Sequence, residues 1–467
     1  MIKKKKTQKQ TQIWISTQEI KIRPQSGFYS NLNQVFDTIS FEKKVRTLCE
    51  PFYSDKANVR PPVDPVVYFK MLFVGFFENI RSERGICARC DDSITIREFL
   101  GYSITEATPD HSTLSVIRRR LPESVFAQVF TIILAALKDH GLLIGKNIAF
   151  DSSIIEANAS LGALTNRMTQ ESYNEYINGL AAEAGVDTKD KAAVARFDRK
   201  RPGRKTSNDE WSNPHDPDAK IGRTKHGAPN MVYKPEHAVD IDTGAIVDVN
   251  MLPGDQPDYD KFTDRIVDAQ IRINDVYDDP TSAPIIETVT SDKGYFKFDE
   301  IKQMQDIEIM PVIPDFIEYR NLNKLNLEEK IALGFAKSEV KSASGRAKLK
   351  RRGMYVERSF AHVLDSGGQR RTTLRGNENI LKRHRVATAC YNLSLLMRKI
   401  FGFGTPKQLI AAAYLSVALL FVPILCLRNR FTAIFNSVVE TFCQISKYYG
   451  RMVNPPNLKI PTFSTGS

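Results

Sequence analysis

The hydrophobic period of this chain changes once, near residue 143. From about Val45 to Asp139 apolar residues recur at three- and four-residue steps, most clearly in "SVFAQVFTIILAALKDHG". There Phe126, Val129, Phe130, Ile133, Leu134 and Leu137 share one helix face, and Gly141 supplies a stop. Beyond that point the period moves towards two. "KNIAFDSSII" is a short apolar run broken by Asp151, and "MVYKPEHAVDIDTGAIVDVNML" reads as two strands hinged at Asp242-Thr243-Gly244. An amphipathic helix in "DYDKFTDRIVDAQIRINDVY", a strand in "PIIETVTSD", a helix start in "YFKFDEIKQMQ" and a strand in "IEIMPVIP" follow. Strands that alternate with helices predict an α/β domain behind an all-helical one.

The expected organisation is therefore a basic N-terminal arm (1–40), a helical domain (41–142), an α/β domain (143–402) and an apolar tail (403–467). Within the α/β domain, the stretch around 165–225 is rich in Arg, Lys, Asp, Asn and Pro and reads as a loop-rich insertion, while "KSASGRAKLKRR" reads as a basic linker. "NILKRHRVATACYNLSLLMRKIFG" predicts a long helix with Val386, Cys390, Leu393, Met397 and Ile400 on one side. The tail contains "LIAAAYLSVALLFVPILCL", Leu409 to Leu427, which approaches the length of a bilayer span, but Pro423 and its small residues suit a buried or partner-packing helix, and a membrane role is not expected.

The 66 Lys+Arg exceed the 54 Asp+Glu by 12, a balance that favours a polyanionic partner over an acidic small substrate. Six cysteines without a pairing framework point to the reducing cytoplasm. The single C-x-x-C, Cys87 and Cys90, has no second pair or nearby histidine and reads as two helix residues. The N-terminal "MIKKKKTQKQTQ" lacks the apolar core of a secretory signal.

Three acids stand in matching places. Asp151 ends the run Ile148-Ala149-Phe150, Asp292 ends Val289-Thr290-Ser291, and Glu357 lies in a helical turn between Val356 and Phe360. An acid abutting an apolar strand costs desolvation unless something offsets it, and a divalent cation does so. Hard oxygen ligands select Mg²⁺, or Mn²⁺ as its substitute, and two such ions serve phosphoryl transfer. Asp240, Asp242, Asp255 and Asp258 are rivals for the second ligand, although the first two border a hairpin turn where aspartate serves the backbone.

Among the cations, Arg118, Arg119 and Arg120 are consecutive and so spread around one helix: at least one is expected on DNA phosphate, the others on local acids. Arg370, Arg371 and Arg375 gather in "GGQRRTTLRG", a loop suited to a phosphodiester backbone. Lys293 either keeps Asp292 ionised or touches DNA. His111, in "PDHSTLS", belongs to a helix start at which Ser112 or Thr113 is the expected cap.

"PDHSTLSVIRRRL", "AFDSSIIEANAS", "SDKGYF" and "VERSFAHVLDSGGQRRTTLRG", closed by "ATACYNLSLLMR", together resemble bacterial insertion-sequence transposases of the DDE class over roughly residues 40 to 402. The resemblance implies a ribonuclease-H-like mixed sheet flanked by helices, preceded by an all-helical domain that helps to recognise transposon ends. It also implies a catalytic and metal-binding set of Asp151, Asp292 and Glu357 holding two Mg²⁺ ions, with Arg358 beside the glutamate on DNA. The implied partners are terminal inverted repeats and target DNA, bound by a homodimer or higher assembly. In one departure, Tyr355 precedes the glutamate by two residues and Arg352 by five, where many relatives keep a different set spacing. A metal-dependent nuclease that does not join strands and an inactive DNA-binding derivative remain the alternative readings.

Overall fold

Among the described residues before 143 there are seven α-helices: α1 (Gly27–Thr38), α2 (Phe41–Cys49), α3 (Pro65–Phe77), α4 (Glu83–Asp92), α5 (Ile94–Leu100), α6 (His111–Arg120) and α7 (Glu123–Asp139). The structure is a computed structural model that describes residues 27–53, 63–224, 227–316, 325–412, 414 and 440–446. Each helix start has a local cause. Asp64 caps α3 through the Val66 N–H with Pro65 at the first helical position, and Ser82 and Ser93 cap α4 and α5. At α6 the cap is Asp110 rather than Ser112 or Thr113, for its carboxylate accepts both the Thr113 N–H and the Ser112 hydroxyl.

The α/β part then runs β1 (Asn147–Ser152), β2 (Ile155–Glu156), β3 (Thr165–Asn166), α8 (Tyr173–Glu183), α9 (Lys191–Lys200), α10 (Ser207–Glu210), β4 (Trp211–Ser212), β5 (Lys220–Arg223), β6 (Pro229–Asp240), β7 (Ile246–Pro253) and α11 (Phe262–Asn274). It continues with β8 (Thr288–Thr290), α12 (Phe298–Asp306), β9 (Met310–Val312), α13 (Leu327–Lys341), α14 (Ala343–Phe360), a π-helical turn (Ala361–Ser366) and α15 (Asn377–Phe401). Five strands lie in the order β7-β6-β1-β8-β9, the 3-2-1-4-5 arrangement of a ribonuclease-H-like sheet: β6 is antiparallel to β1 and β7, and β8 and β9 run parallel to β1 and to each other. The parallel joins cross over through α11 and α12, as parallel neighbours require. β2 and β5 extend the sheet along the rest of the long β6.

Alternation on β1 and β6 sorts the two faces. Phe150 meets Phe262 of α11 at 5.2 Å, and Glu236 meets Arg265 of the same helix. On the other face Asp151 meets Arg352 of α14, and His237 meets Ser359 of α14 and His384 of α15. Helix α15 lies between the sheet and α3 and α7 and is buried around its whole circumference through its middle, so the stripe expected on one side is a cylinder; its two ends open out, at Glu378 and at Ile400, which is 41% exposed. Such a helix must satisfy its polar side chains internally. Arg385 reaches Glu123 and Asp248, the Tyr391 hydroxyl donates to the Gly244 carbonyl, and Asn392 pairs with both the N–H and the C=O of Ile246. Asn392→Leu leaves that buried peptide unpaired on both sides and is expected to cost about 2–3 kcal/mol, measured as a lower urea midpoint with unchanged slope.

Two expected loops are helices. The 165–225 insertion contains α8 and α9 around a small core of Ile177, Ala181 and Trp211, its charges paired internally through Arg201, Asp198 and Glu210. The "basic linker" is the last residue of α13 and the first three turns of α14, a helix started by Ser342 bonding the Gly345 N–H. The described residues up to Pro406 form one compact unit, and residues from Lys407 on form another, of which 407–412 and 440–446 are helical. Most of the apolar run 409–427 lies outside the described residues; among those described, no single helix is long and apolar enough to cross a membrane.

Candidate active site

Asp151 and Asp292 come together because of strand register. β1 and β8 pair Asn147 with Thr288 and Ala149 with Thr290, and two residues further the same alternation sets Asp151 beside Asp292, on the face covered by α14. Both lie at C-terminal strand ends, where ligands bind in open α/β sheets. Burial pushes the Asp151 carboxyl up to about 6; the Arg352 guanidinium opposes that rise, and the Asp292 charge adds to it. Arg352 Nη2 stands 2.6 Å from Asp151 Oδ2, while the Ser152 N–H donates to Oδ1 at 2.9 Å.

Asp292 caps the turn that follows it by accepting the Gly294 N–H at 2.9 Å. The turn is tight at Gly294: a Cβ would stand 3.0 Å from Asp292 Oδ1 and 3.3 Å from Asp258 Oδ2. Asp258, one of the rivals for the second ligand, therefore packs against the same turn. It accepts the Ser152 hydroxyl at 2.6 Å and pairs with buried Lys234 at 2.7 Å. Behind it the Tyr295 hydroxyl donates to Glu236, which Arg265 also holds. Of the other rivals, Asp240 accepts the N–H groups of Ile144, Gly145 and Asp242, Asp242 pairs with the Asn147 and Arg351 side chains, and Asp255 is exposed.

Glu357 is on α14, the helix laid across this face, but its side chain is exposed. It follows Arg352 by five residues, about 140° around the helix, while Val356 and Ser359 point at the sheet. Among the described residues no group of three or more His, Cys, Asp or Glu side chains converges as a metal site. The donors that do meet, two carboxylates at strand ends, suit a hard divalent cation. Thr290 Oγ1, on the same face one step before Asp292, is buried without a hydrogen-bond partner among the described residues, a further oxygen at that place.

Of the cations in the glycine-punctuated loop, Arg370 donates to Ser153 Oγ, just past β1, at 3.2 Å and pairs with Asp365. Its loop is fixed to β2 by the bonds Glu156 N to Arg370 O and Thr372 N to Glu156 O, which leave Arg371 exposed. Arg375 donates to the Asn158 carbonyl. Lys293 is exposed beside Asp292, and Arg358 stacks over the Tyr355 ring at 5.6 Å. In α6, Arg118 turns inward onto Glu83 with 15% of its side chain exposed, Arg120 covers the Tyr53 ring, and Arg119 is exposed. Sequence reading missed the Arg352 contact because its partner is 201 residues away. The C-x-x-C thiols lie on α4, where burial pushes Cys87 up to about 11 and Cys90 up to about 12, so both stay protonated and inert.

A search of curated proteins finds no match. Among solved structures, the Mos1 transposase paired-end complex with left transposon end is matched over 67% of this chain and 82% of that chain, at 9% identity and a TM-score of 0.18, too loose a superposition to carry an argument. The family comparison is local and specific: residues 17–120 match the family described as a transposase domain, DUF772. That match spans the helical end of this chain, α1 to α6.

Proposed function

We propose that the chain is a DNA transposase that cleaves the ends of an insertion sequence and transfers the freed strands into target DNA. The observation that carries this reading is the pair Asp151 and Asp292 on adjacent parallel strand ends, in a chain with a transposase domain. In this reading Asp151 and Asp292 would hold Mg²⁺, or Mn²⁺ in its place, two ions in all, with Glu357 the expected third ligand although the structure leaves it exposed and apart from that pair. The ions would supply charge neutralisation at the attacking and leaving oxygens of an in-line displacement. Arg352 holds Asp151, and its guanidinium, with those of Arg370, Arg371 and Arg375 in the loop beside β2, would bind the phosphodiester. A water oxygen attacks phosphorus, the bridging 3′ P–O bond breaks, and the strand leaves as a 3′-hydroxyl facing a 5′-phosphate. That hydroxyl then attacks a target phosphodiester, expelling a second 3′-oxygen, so no covalent protein intermediate forms. Two ends handled together call for a homodimer or larger assembly on terminal inverted repeats.

Purified protein, labelled element ends, a plasmid and Mg²⁺ form the test. Joined product is expected, whereas cleavage without joining identifies a nuclease. Asp292→Asn removes both products in this reading, and unchanged metal-dependent cleavage by that variant would sink it.

A further inference from the structure

The segment between β2 and β5 builds a cavity of about 410 Å³ that the two-carboxylate reading does not use. Ligand pockets fall in the range of about 300–1,000 Å³. Its wall is aromatic: the Tyr173 ring, 40% exposed, stands 5.1 Å from Trp211, whose other neighbour is Tyr176 at 5.7 Å. Two acids also face the cavity, but their charge is taken up from within. Asp198 receives the Tyr173 hydroxyl and Arg201 Nε, while Glu210 receives Arg201 and the Lys205 N–H. The Arg201 side chain is only 5% exposed, so it neutralises the acids without reaching solvent. Arg204 and Lys205 remain exposed at the mouth, with no side-chain ion pair among the described residues. The cavity thus offers one exposed tyrosine face, backed by the edge of a largely buried tryptophan tilted 52° to it, under a positive rim.

The segment is not a tethered appendage. Asn213 Nδ2 donates to the Ser160 carbonyl, Asp216 takes the Tyr233 hydroxyl and the Gly376 N–H, and β5 pairs with β6. It is thereby fixed to the chain leaving β1, at the place where Arg375 bonds Asn158.

We propose that this cavity binds one unpaired DNA nucleotide, its base against Tyr173 and Trp211 and its flanking phosphates on Arg204 and Lys205. A base inside a duplex cannot enter a pocket of this size, and stacking on aromatic rings does not depend on which base arrives. Strand cleavage creates broken ends, where bases unpair most readily. The inference rests on the proposed DNA reaction for its ligand, but not on the carboxylates.

The chain has two tryptophans, so Trp14→Phe leaves Trp211 as the sole reporter. That protein, in EDTA, is titrated with a 12-nucleotide single strand and with its blunt duplex. Saturable quenching by the single strand is expected at an affinity about tenfold above the duplex. Tyr173→Ala should weaken it about tenfold, Tyr173→Phe should not, and the exposed double change Arg204→Gln/Lys205→Gln should weaken it and lower the salt dependence by a slope of about 1.4. Equal quenching by duplex, or single-strand affinity indifferent to the Arg204/Lys205 change, overturns the inference. Binding that persists while Asp292→Asn cleaves normally overturns the carboxylate reading alone; strand joining without single-strand binding overturns the pocket alone.

Discussion

Asp151→Asn is expected to lose metal-dependent strand cleavage by on the order of 10³-fold or more, the scale on which one charge-stabilising group acts, and at the same time to make the metal-free protein more stable at pH 8. The second effect follows from burial, which lifts the carboxyl from 3.8 to about 6 although Arg352 stands beside it. A carboxyl with a higher pKa folded than unfolded stabilises the fold while protonated. That contribution is complete below pH 3.8 and is lost as pH rises through about 6. With its side chain 23% exposed, ionised Asp151 costs about 2 kcal/mol at pH 8, and asparagine removes that cost. The measurement is Tm against pH in EDTA: the wild-type curve falls between pH 4 and 7 relative to the variant. Mn²⁺ should then raise the wild-type Tm and leave the variant unmoved. A variant less stable than wild type at pH 8 contradicts the argument.

Acid should unfold this protein through a different pair. His237 and His384 are fully buried with their Nε2 atoms 2.8 Å apart, and the bonds around them fix the tautomers. Ser359 gives its proton to the Val356 carbonyl, so His237 Nδ1 donates to Ser359 and His237 Nε2 accepts from His384 Nε2. A further proton can go only to His384 Nδ1, and the charge it brings would be buried without an acid partner among the described residues. Burial lowers both pKa values, His384 to about 3, with the neighbouring His384 charge adding to the effect on His237 and Arg385 to that on His384. A depressed pKa contributes stability that is complete above the unfolded value near 6.5 and is lost as pH falls below it. Each imidazole should cost about 1.4 kcal/mol per pH unit, or about 4 kcal/mol for the pair between pH 7 and 5. Guanidinium midpoints across that range give the check, and a midpoint that does not move refutes the neutral pair.

Local signals were legible in the sequence, and distant ones were not. The α7 stripe, the β6–β7 hairpin and the strand-end positions of Asp151 and Asp292 all follow from short-range periodicity, and the structure has them. The insertion looked like loop because composition cannot reveal that Arg201, Asp198 and Glu210 neutralise one another. α14 was hidden for a similar reason: Lys, Arg, Ala and Leu are good helix formers, and Ser342 is its cap, but the charge run read as solvated linker. Asp258 gained its place only through Ser152 and Lys234, 106 and 24 residues away in the chain.

The placement of α15 bears on how the protein is made. Its side chains fill the space between α3, α7 and the sheet, yet it is the last element of the unit to leave the ribosome. Until residue 401 has emerged, Glu123 and the Ile246 peptide lack their partners, Asp248 has only Arg272, and the α7 face that meets α15 is bare. A nascent chain can therefore form hairpins and single helices, but it cannot close its core domain by domain. Any product that stops before α15 should be a protease substrate rather than a smaller working protein.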